Sequence, residues 1–222
     1  MNVDPATIVF EIIAFLFAIS VHESAHAWMA NRCGDPTANM LGRITLNPIK
    51  HIDPLGTIIV PAIALFSGGY LIGWAKPTPV NPRHFRHYVR DDILTSLAGP
   101  ASNLLVAAFS TLVLIFIAVS SPLGHQLVRS STFDSNSVLV PIVFLFRIIL
   151  YINVLLAVFN VIPVPPLDGS HVLRHFLPES ARRLYDTMGM FGLVILFLVG
   201  GRFISTLMAP ILAFFYSIVL SF

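Results

Sequence analysis

Charge is what this chain has least of. Only 11% of its 222 residues are Asp, Glu, Lys or Arg, with 13 basic residues against 11 acidic ones. Soluble domains carry about 25% charged residues, so this chain has too few charges to cover a water-facing surface. Its composition is 56% hydrophobic and its mean hydropathy is +0.83, which makes it an integral membrane protein. The formal net charge of +2 is too small to argue for nucleic acid, and none is expected as a partner. Cys33 is the single cysteine, so no disulfide forms within the chain. Residues 1–7 contain Asp4 but no Lys or Arg. A signal peptide needs a basic start, a short apolar core and a small-residue cleavage site. Here the apolar run leads into His22 and Glu23 instead, so a retained membrane helix is expected.

Glutamate is scarcer still: Glu11, Glu23 and Glu179 are the only three. One of them falls inside His22-Glu23-Ser24-Ala25-His26, an H-E-x-x-H sequence at the end of an apolar run. Two histidines four apart share one helix face, so both imidazoles can reach one metal ion. The glutamate beside the first His is placed to activate water at that metal. Ionisable groups inside a membrane segment are costly and mark function by default. The pentapeptide therefore points to a metal-dependent hydrolase buried in a bilayer.

Five apolar stretches stand out, at about 8–30, 55–74, 93–119, 138–162 and 188–222. A span needs about 20 residues. The first, third and fourth meet this, and the last reads as one helix or a hairpin of two. Pro61, Gly68, Gly69 and Gly73 interrupt the second. The connections are rich in proline, notably Lys76-Pro77-Thr78-Pro79-Val80-Asn81-Pro82 and Pro163-Val164-Pro165-Pro166-Leu167-Asp168-Gly169. The expected fold is an all-α polytopic membrane protein: a bundle of about four to six helices, with a re-entrant or β-hairpin segment near residues 55–80. A single membrane-embedded domain over residues 1–222 is expected, with its motifs in 9–173.

Catalytic zinc commonly takes three protein ligands and a water. The best third candidate is Asp168, where prolines and a glycine let the backbone leave helical geometry and turn a carboxylate inward. The competing reading is a turn-forming Asp in a Pro/Gly loop. The HESAH motif, Ala98-Gly99-Pro100-x-x-Asn103 and Asn160-x-x-Pro163-x-x-x-Leu167-Asp168-Gly169 together resemble the site-2 protease family of intramembrane zinc metalloproteases, peptidase family M50. The resemblance covers residues 9–173 and is to compact members without a PDZ domain. It implies one Zn2+ per chain held by His22, His26 and Asp168, with Glu23 as catalytic base. It also implies a membrane-protein substrate cleaved in or near a transmembrane segment. Asn160 and Pro163 match positions tied to substrate handling. Asn160 is the first candidate for an oxyanion or substrate contact and Asn103 the second, with helix packing the plainer role for Asn103. The edge near residues 68–80 is a candidate for pairing with an unwound substrate.

For the two motifs to share a metal, an even number of crossings must separate them. The stretch at 55–74 is therefore expected to dip into the bilayer without crossing it. Residues Arg32, Arg43, Lys50, Lys76, Arg83, Arg86, Arg90, Arg174, Arg182 and Arg183 then share one side, against Arg129 on the other. Positive loops stay cytoplasmic, which predicts an outside N-terminus and a site open to the cytoplasm of a prokaryotic cell. His171 and His175 are also four apart but enclose no acidic residue, and read as a surface or lining pair. His84 and His87 read as part of a basic face, His51 as loop or site rim, and Glu11 as a lining carboxylate. A metal transporter and a catalytically inactive scaffold are the alternative classes. A transporter wants ligands along a through-path and no base, and a dead scaffold would have lost Glu23 or a ligand.

Overall fold

The structure is a computed structural model that describes residues 5–61, 63, 73–130, 137–187 and 189–222. Four long helices dominate it: α1 (Pro5–Cys33), α3 (Tyr88–Ser120), α5 (Leu139–Val161) and α8 (Gly189–Leu220). Short helices connect them: α2 (Thr37–Met40), α4 (Pro122–Arg129), α6 (Asp168–Arg174) and α7 (Glu179–Thr187). Each long helix contains a segment long and apolar enough to cross a bilayer, and no strand occurs among the described residues. The chain is thus an all-α polytopic membrane protein. Residues 189–220 form one continuous helix despite Gly200, Gly201 and Pro210, so the hairpin alternative for 188–222 is not what forms.

Local chemistry sets the boundaries. α1 starts on Pro5, a residue preorganised for the first helical position. It is closed by Gly34 at φ +112°, a left-handed conformation that costs glycine little, and Asp35 N–H then donates back to Ala30 O at 2.9 Å. α4 is capped by Ser121, which accepts from Gly124 N–H at 3.0 Å. α5 stops at Val161, where Ile162 precedes Pro163 and is pushed to extended backbone. Gly169 lets α6 approach the end of α5: a Cβ there would overlap Val161 O.

The two ends of the bundle are distinct. At one end Arg129 donates to Leu220 O at 2.6 Å, and Arg147 donates to Ser130 O (2.8 Å), Leu127 O and Val128 O, the open C-terminus of α4. At the other end Arg86 N–H donates to Cys33 O at 3.2 Å, and His175 meets Asp92 at 2.7 Å. This gathers the C-terminus of α1, the N-terminus of α3 and α6. Two crossings, α3 and α5, therefore separate HESAH from Asp168. The stretch at 55–74 lies partly outside the described residues, as does most of the anticipated re-entrant or β-hairpin segment. Its two described ends meet: Trp74 N–H donates to Gly56 O at 3.1 Å, and Thr57 Oγ1 donates to Trp74 O at 2.8 Å. A crossing would carry those ends about 30 Å apart. The entry side is helical, a π-turn at Pro54–Ile59 capped by Asp53, rather than a strand. Residues 73–81 have no regular secondary structure and no strand pairing.

Packing follows an i, i+4 rule. Ala14, Ala18, His22, His26 and Ala30 are all buried along one stripe of α1, and Gly99, Asn103, Ala107 and Thr111 along one stripe of α3. Residues four apart lie above one another on a helix. Small residues at those places let two helices approach closely, which drives association in lipid, where burial of apolar surface gives little. The larger apolar cluster, including Leu114, Leu150, Val143, Val154, Met208 and Phe215, fills the opposite half of the bundle. Ala107, fully buried on α3, packs into this cluster and leaves no room there for a longer side chain. Ala107→Leu is expected to destabilise the bundle by about 1–3 kcal/mol, read as a lowered melting temperature in detergent with the metal-binding stoichiometry retained.

Candidate metal centre

The same stripe that packs α1 against α3 delivers His22 and His26 to one point. Their Nε2 atoms lie 3.0 Å apart. The Asp168 carboxylate arrives from the first turn of α6, with Oδ2 3.2 Å from His22 Nε2 and 3.3 Å from His26 Nε2. Among the described residues this is the one trio of His, Cys, Asp or Glu whose ligating atoms converge.

The protonation pattern follows from the partners. Thr95 O can only accept, so His26 Nδ1, 2.7 Å away, carries the proton. Ile149 O can only accept, so it fixes the amide of Asn153, whose Nδ2 donates to it at 2.8 Å. Asn153 Oδ1 then accepts from Asn103 Nδ2 at 2.8 Å. That turns Asn103 Oδ1 toward His22 Nδ1, at 2.6 Å, and makes the latter a donor. With Nδ1 carrying the proton, the neutral form of each imidazole points a bare Nε2 lone pair at the other ring and at a carboxylate oxygen. Three acceptors this close repel unless a cation lies between them. Ligands about 2.0–2.2 Å from a tetrahedral zinc sit roughly 3.4 Å apart, so the residues present fit that ion.

Glycine keeps the space open. A Cβ added at Gly99 would lie 2.7 Å from His22 Nε2 and closer still to His26 Nε2. Asn103 is fully buried, with its Oδ1 2.6 Å from His22 Nδ1. Asn153, equally buried, was not singled out by the sequence reading; its signal was a rare amide in an apolar span. Thr95 contributes only a carbonyl, for which no side-chain signal exists.

Glu23 is half-buried one residue from His22. Its Oε2 accepts from Thr78 N–H at 2.8 Å and from Thr78 Oγ1 at 2.7 Å. Thr78 was also missed, because it lies 55 residues from Glu23 in sequence. Ser24, the next residue of the motif, donates to Thr45 O and accepts from Thr45 N–H at 3.1 Å, tying the loop after α2 to α1. Asn160 stays on its own helix, with Nδ2 donating to Leu156 O at 3.0 Å, and Pro163 is exposed, its carbonyl accepting from Tyr185 at 2.8 Å.

The remaining histidines sit elsewhere. His171 and His175 face Asp92, at 3.7 and 2.7 Å, and dock α6 onto α3. His84 pairs with Asp35 at 2.9 Å, and His51 is fully buried with Nε2 donating to Thr45 O. The described part of the anticipated substrate-pairing edge is largely spent. The N–H groups of Trp74, Lys76 and Thr78 bond to Gly56, His51 and Glu23. Pro77 and Pro79 have no N–H to offer.

The sequence profile of peptidase family M50 matches residues 10–199, most of the chain. The chain belongs to peptidase family M50. This M50 chain is 34% identical over 184 residues to "Putative zinc metalloprotease YwhC" of Bacillus subtilis, covering 83% of the chain and 76% of that protein. It is 32% identical over 174 residues to "Putative zinc metalloprotease Rip2" of Mycolicibacterium smegmatis, covering 78% of the chain and 60% of that protein. Rip2 of Mycobacterium tuberculosis is 29% identical over 177 residues, 79% of the chain and 61% of that protein. The chain thus spans about three fifths of the mycobacterial relatives. No solved structure gives a significant match. M50 membership agrees with the resemblance carried by the three motifs, and with the His/His/carboxylate cluster it makes the chain a metalloprotease.

Two substitutions probe the centre. Gly99→Ala is expected to abolish stoichiometric zinc binding, measured by elemental analysis, while the melting profile still shows a folded bundle. Asn103→Ala removes the partner of His22 Nδ1 and is expected to weaken zinc affinity about 10–100-fold, measured by competition with a chromophoric chelator.

Proposed function

We propose that this chain is an intramembrane zinc metalloprotease that hydrolyses peptide bonds in or near transmembrane segments of other membrane proteins. The observation that carries the reading is the buried trio of bare acceptor atoms with a carboxylate, Glu23, in the adjacent position of the same helix. Membership of M50 and the names of the bacterial relatives support it.

In this reading His22, His26 and Asp168 hold one Zn2+. Bound zinc supplies Lewis acidity, acidifying a water and polarising the scissile carbonyl. Glu23 accepts the proton of the attacking water and returns one to the leaving amine, so no net proton is consumed at the carboxylate. Asn103 and Thr95 keep the two imidazoles in the tautomer that leaves Nε2 free. Asn160, in the last turn of α5, and Pro163, on the α5–α6 connection that leads to Asp168, are the candidate contacts to substrate. A helical substrate hides its amides in its own hydrogen bonds, so it must unwind locally before cleavage.

The bundle as a whole acts as one membrane-embedded domain. Ten Lys and Arg residues belong to the loops and helix ends on the side of the two motifs, against Arg129 and Arg147 on the other. By the positive-inside rule this side faces the cytoplasm of a prokaryotic cell and the N-terminus lies outside.

The test uses the purified chain with a single-span membrane substrate. Cleavage is expected to stop on chelation and to return with Zn2+. Glu23→Gln is expected to lower the rate by at least about a thousandfold with zinc still bound. Proteolysis that persists in Glu23→Gln would refute the mechanism. Zinc uptake into proteoliposomes without cleavage would favour a transporter instead.

A further inference from the structure

We propose that Thr78 is a positioning residue for Glu23, holding the base by one of its two oxygens; this rests on the protease reading above. Both donors of Thr78 converge on one atom. Its N–H and its Oγ1 lie 2.8 and 2.7 Å from Glu23 Oε2, and Oγ1 also reaches Glu23 O at 3.0 Å. Charge-assisted hydrogen bonds of this kind are short and directional. With Oε2 held, Oε1 is the oxygen presented to water, and among the described residues no hydrogen bond reaches it. A free glutamate side chain would instead sample many rotamers, few of which bring the carboxylate to the reacting water.

The strap that carries Thr78 is built to stay still. Thr78 stands between Pro77 and Pro79, whose rings fix their own φ and hold Lys76 and Thr78 in extended backbone. Prolines also leave Thr78 as the one N–H in 77–79. Upstream, Lys76 N–H donates to His51 O at 2.8 Å. The buried guanidinium of Arg43 donates to Lys76 O at 2.5 Å, to Pro77 O at 2.9 Å and to Lys50 O. Downstream, Asn81 N–H donates to Asp35 Oδ2 at 2.7 Å, and Val80 packs against Ala30, Cys33 and Phe85. The strap is thus pinned on both sides of Thr78, upstream to the loop at 43–51 and downstream to the end of α1. A purely structural tie between strap and helix would need neither two donors nor a carboxylate from the metal-binding motif.

The experiment compares Thr78→Val, which keeps shape and N–H but loses the hydroxyl, with Thr78→Ser, which keeps both donors. Steady-state cleavage of a membrane substrate by the full chain in nanodiscs is read alongside zinc content and melting temperature. Thr78→Val is expected to lower kcat about tenfold or more, with KM within about twofold and with zinc content and melting temperature unchanged. Thr78→Ser is expected to stay within about twofold of wild type. Thr78→Val with wild-type kcat overturns the proposal. So does a loss shared equally by Thr78→Ser, or one that tracks zinc loss or unfolding, since either marks a structural role. A wild-type chain with no zinc-dependent cleavage overturns the protease reading and Thr78 with it. A cleaving wild type beside an equally fast Thr78→Val overturns Thr78 alone.

Discussion

Three acceptor atoms held within 3.3 Å of one another, in a place water barely reaches, are the constraint on which the rest of this structure depends. Such a cluster is costly until a cation occupies it. The fold must therefore supply enough packing and hydrogen bonding to hold the atoms together beforehand. It does so by making the face that carries the candidate ligands and the helix-packing face the same face. His22 and His26 continue the stripe of Ala14, Ala18 and Ala30, so close packing of α1 on α3 positions both imidazoles. Gly99, opposite them, gives the opening that an alanine methyl would fill.

The polar groups form a chain through the bundle. Ile149 O orients Asn153, Asn153 orients Asn103, and Asn103 orients His22. One helix thus sets the tautomer of a side chain on another through a third. Each amide is fully buried and each has its partners, which is the condition under which buried polar groups rigidify rather than weaken a membrane protein. The chain also makes the centre sensitive to the register of α5, the helix whose C-terminus leads to Asp168. Ligand position and ligand orientation are both tied to that helix.

The connections show the same economy. Residues 73–81 pass the end of α1 with inward N–H groups spent on Gly56, His51 and Glu23, and with prolines at the alternate positions 77 and 79. An edge with few free donors resists pairing with other chains. The strap is therefore better suited to holding Glu23 than to receiving a substrate strand. At the far end of the bundle Arg147 and Arg129 satisfy the carbonyls at the ends of α4 and α8. These are charges placed where unpaired backbone would otherwise be exposed.

Much of this was legible from residues alone, because it rests on periodicity and on rare residue types. Low charge and long apolar runs determine a polytopic helical protein. His22, Glu23 and His26 announce themselves by spacing, and Asp168 by its Pro/Gly surroundings. An even number of crossings follows from the need to bring the motifs together. What only the tertiary structure decided are relations between residues far apart in sequence. Asn103 meets His22 because α3 packs with that face inward. Asn153 and the Thr95 carbonyl become partners of the ligands only once three helices are in register. Thr78 meets Glu23 because the ends of the stretch at 55–74 come together and return the chain to α1. Local pattern specifies which side chains are suited to chemistry; which atoms meet is settled by packing, and no local pattern encodes it.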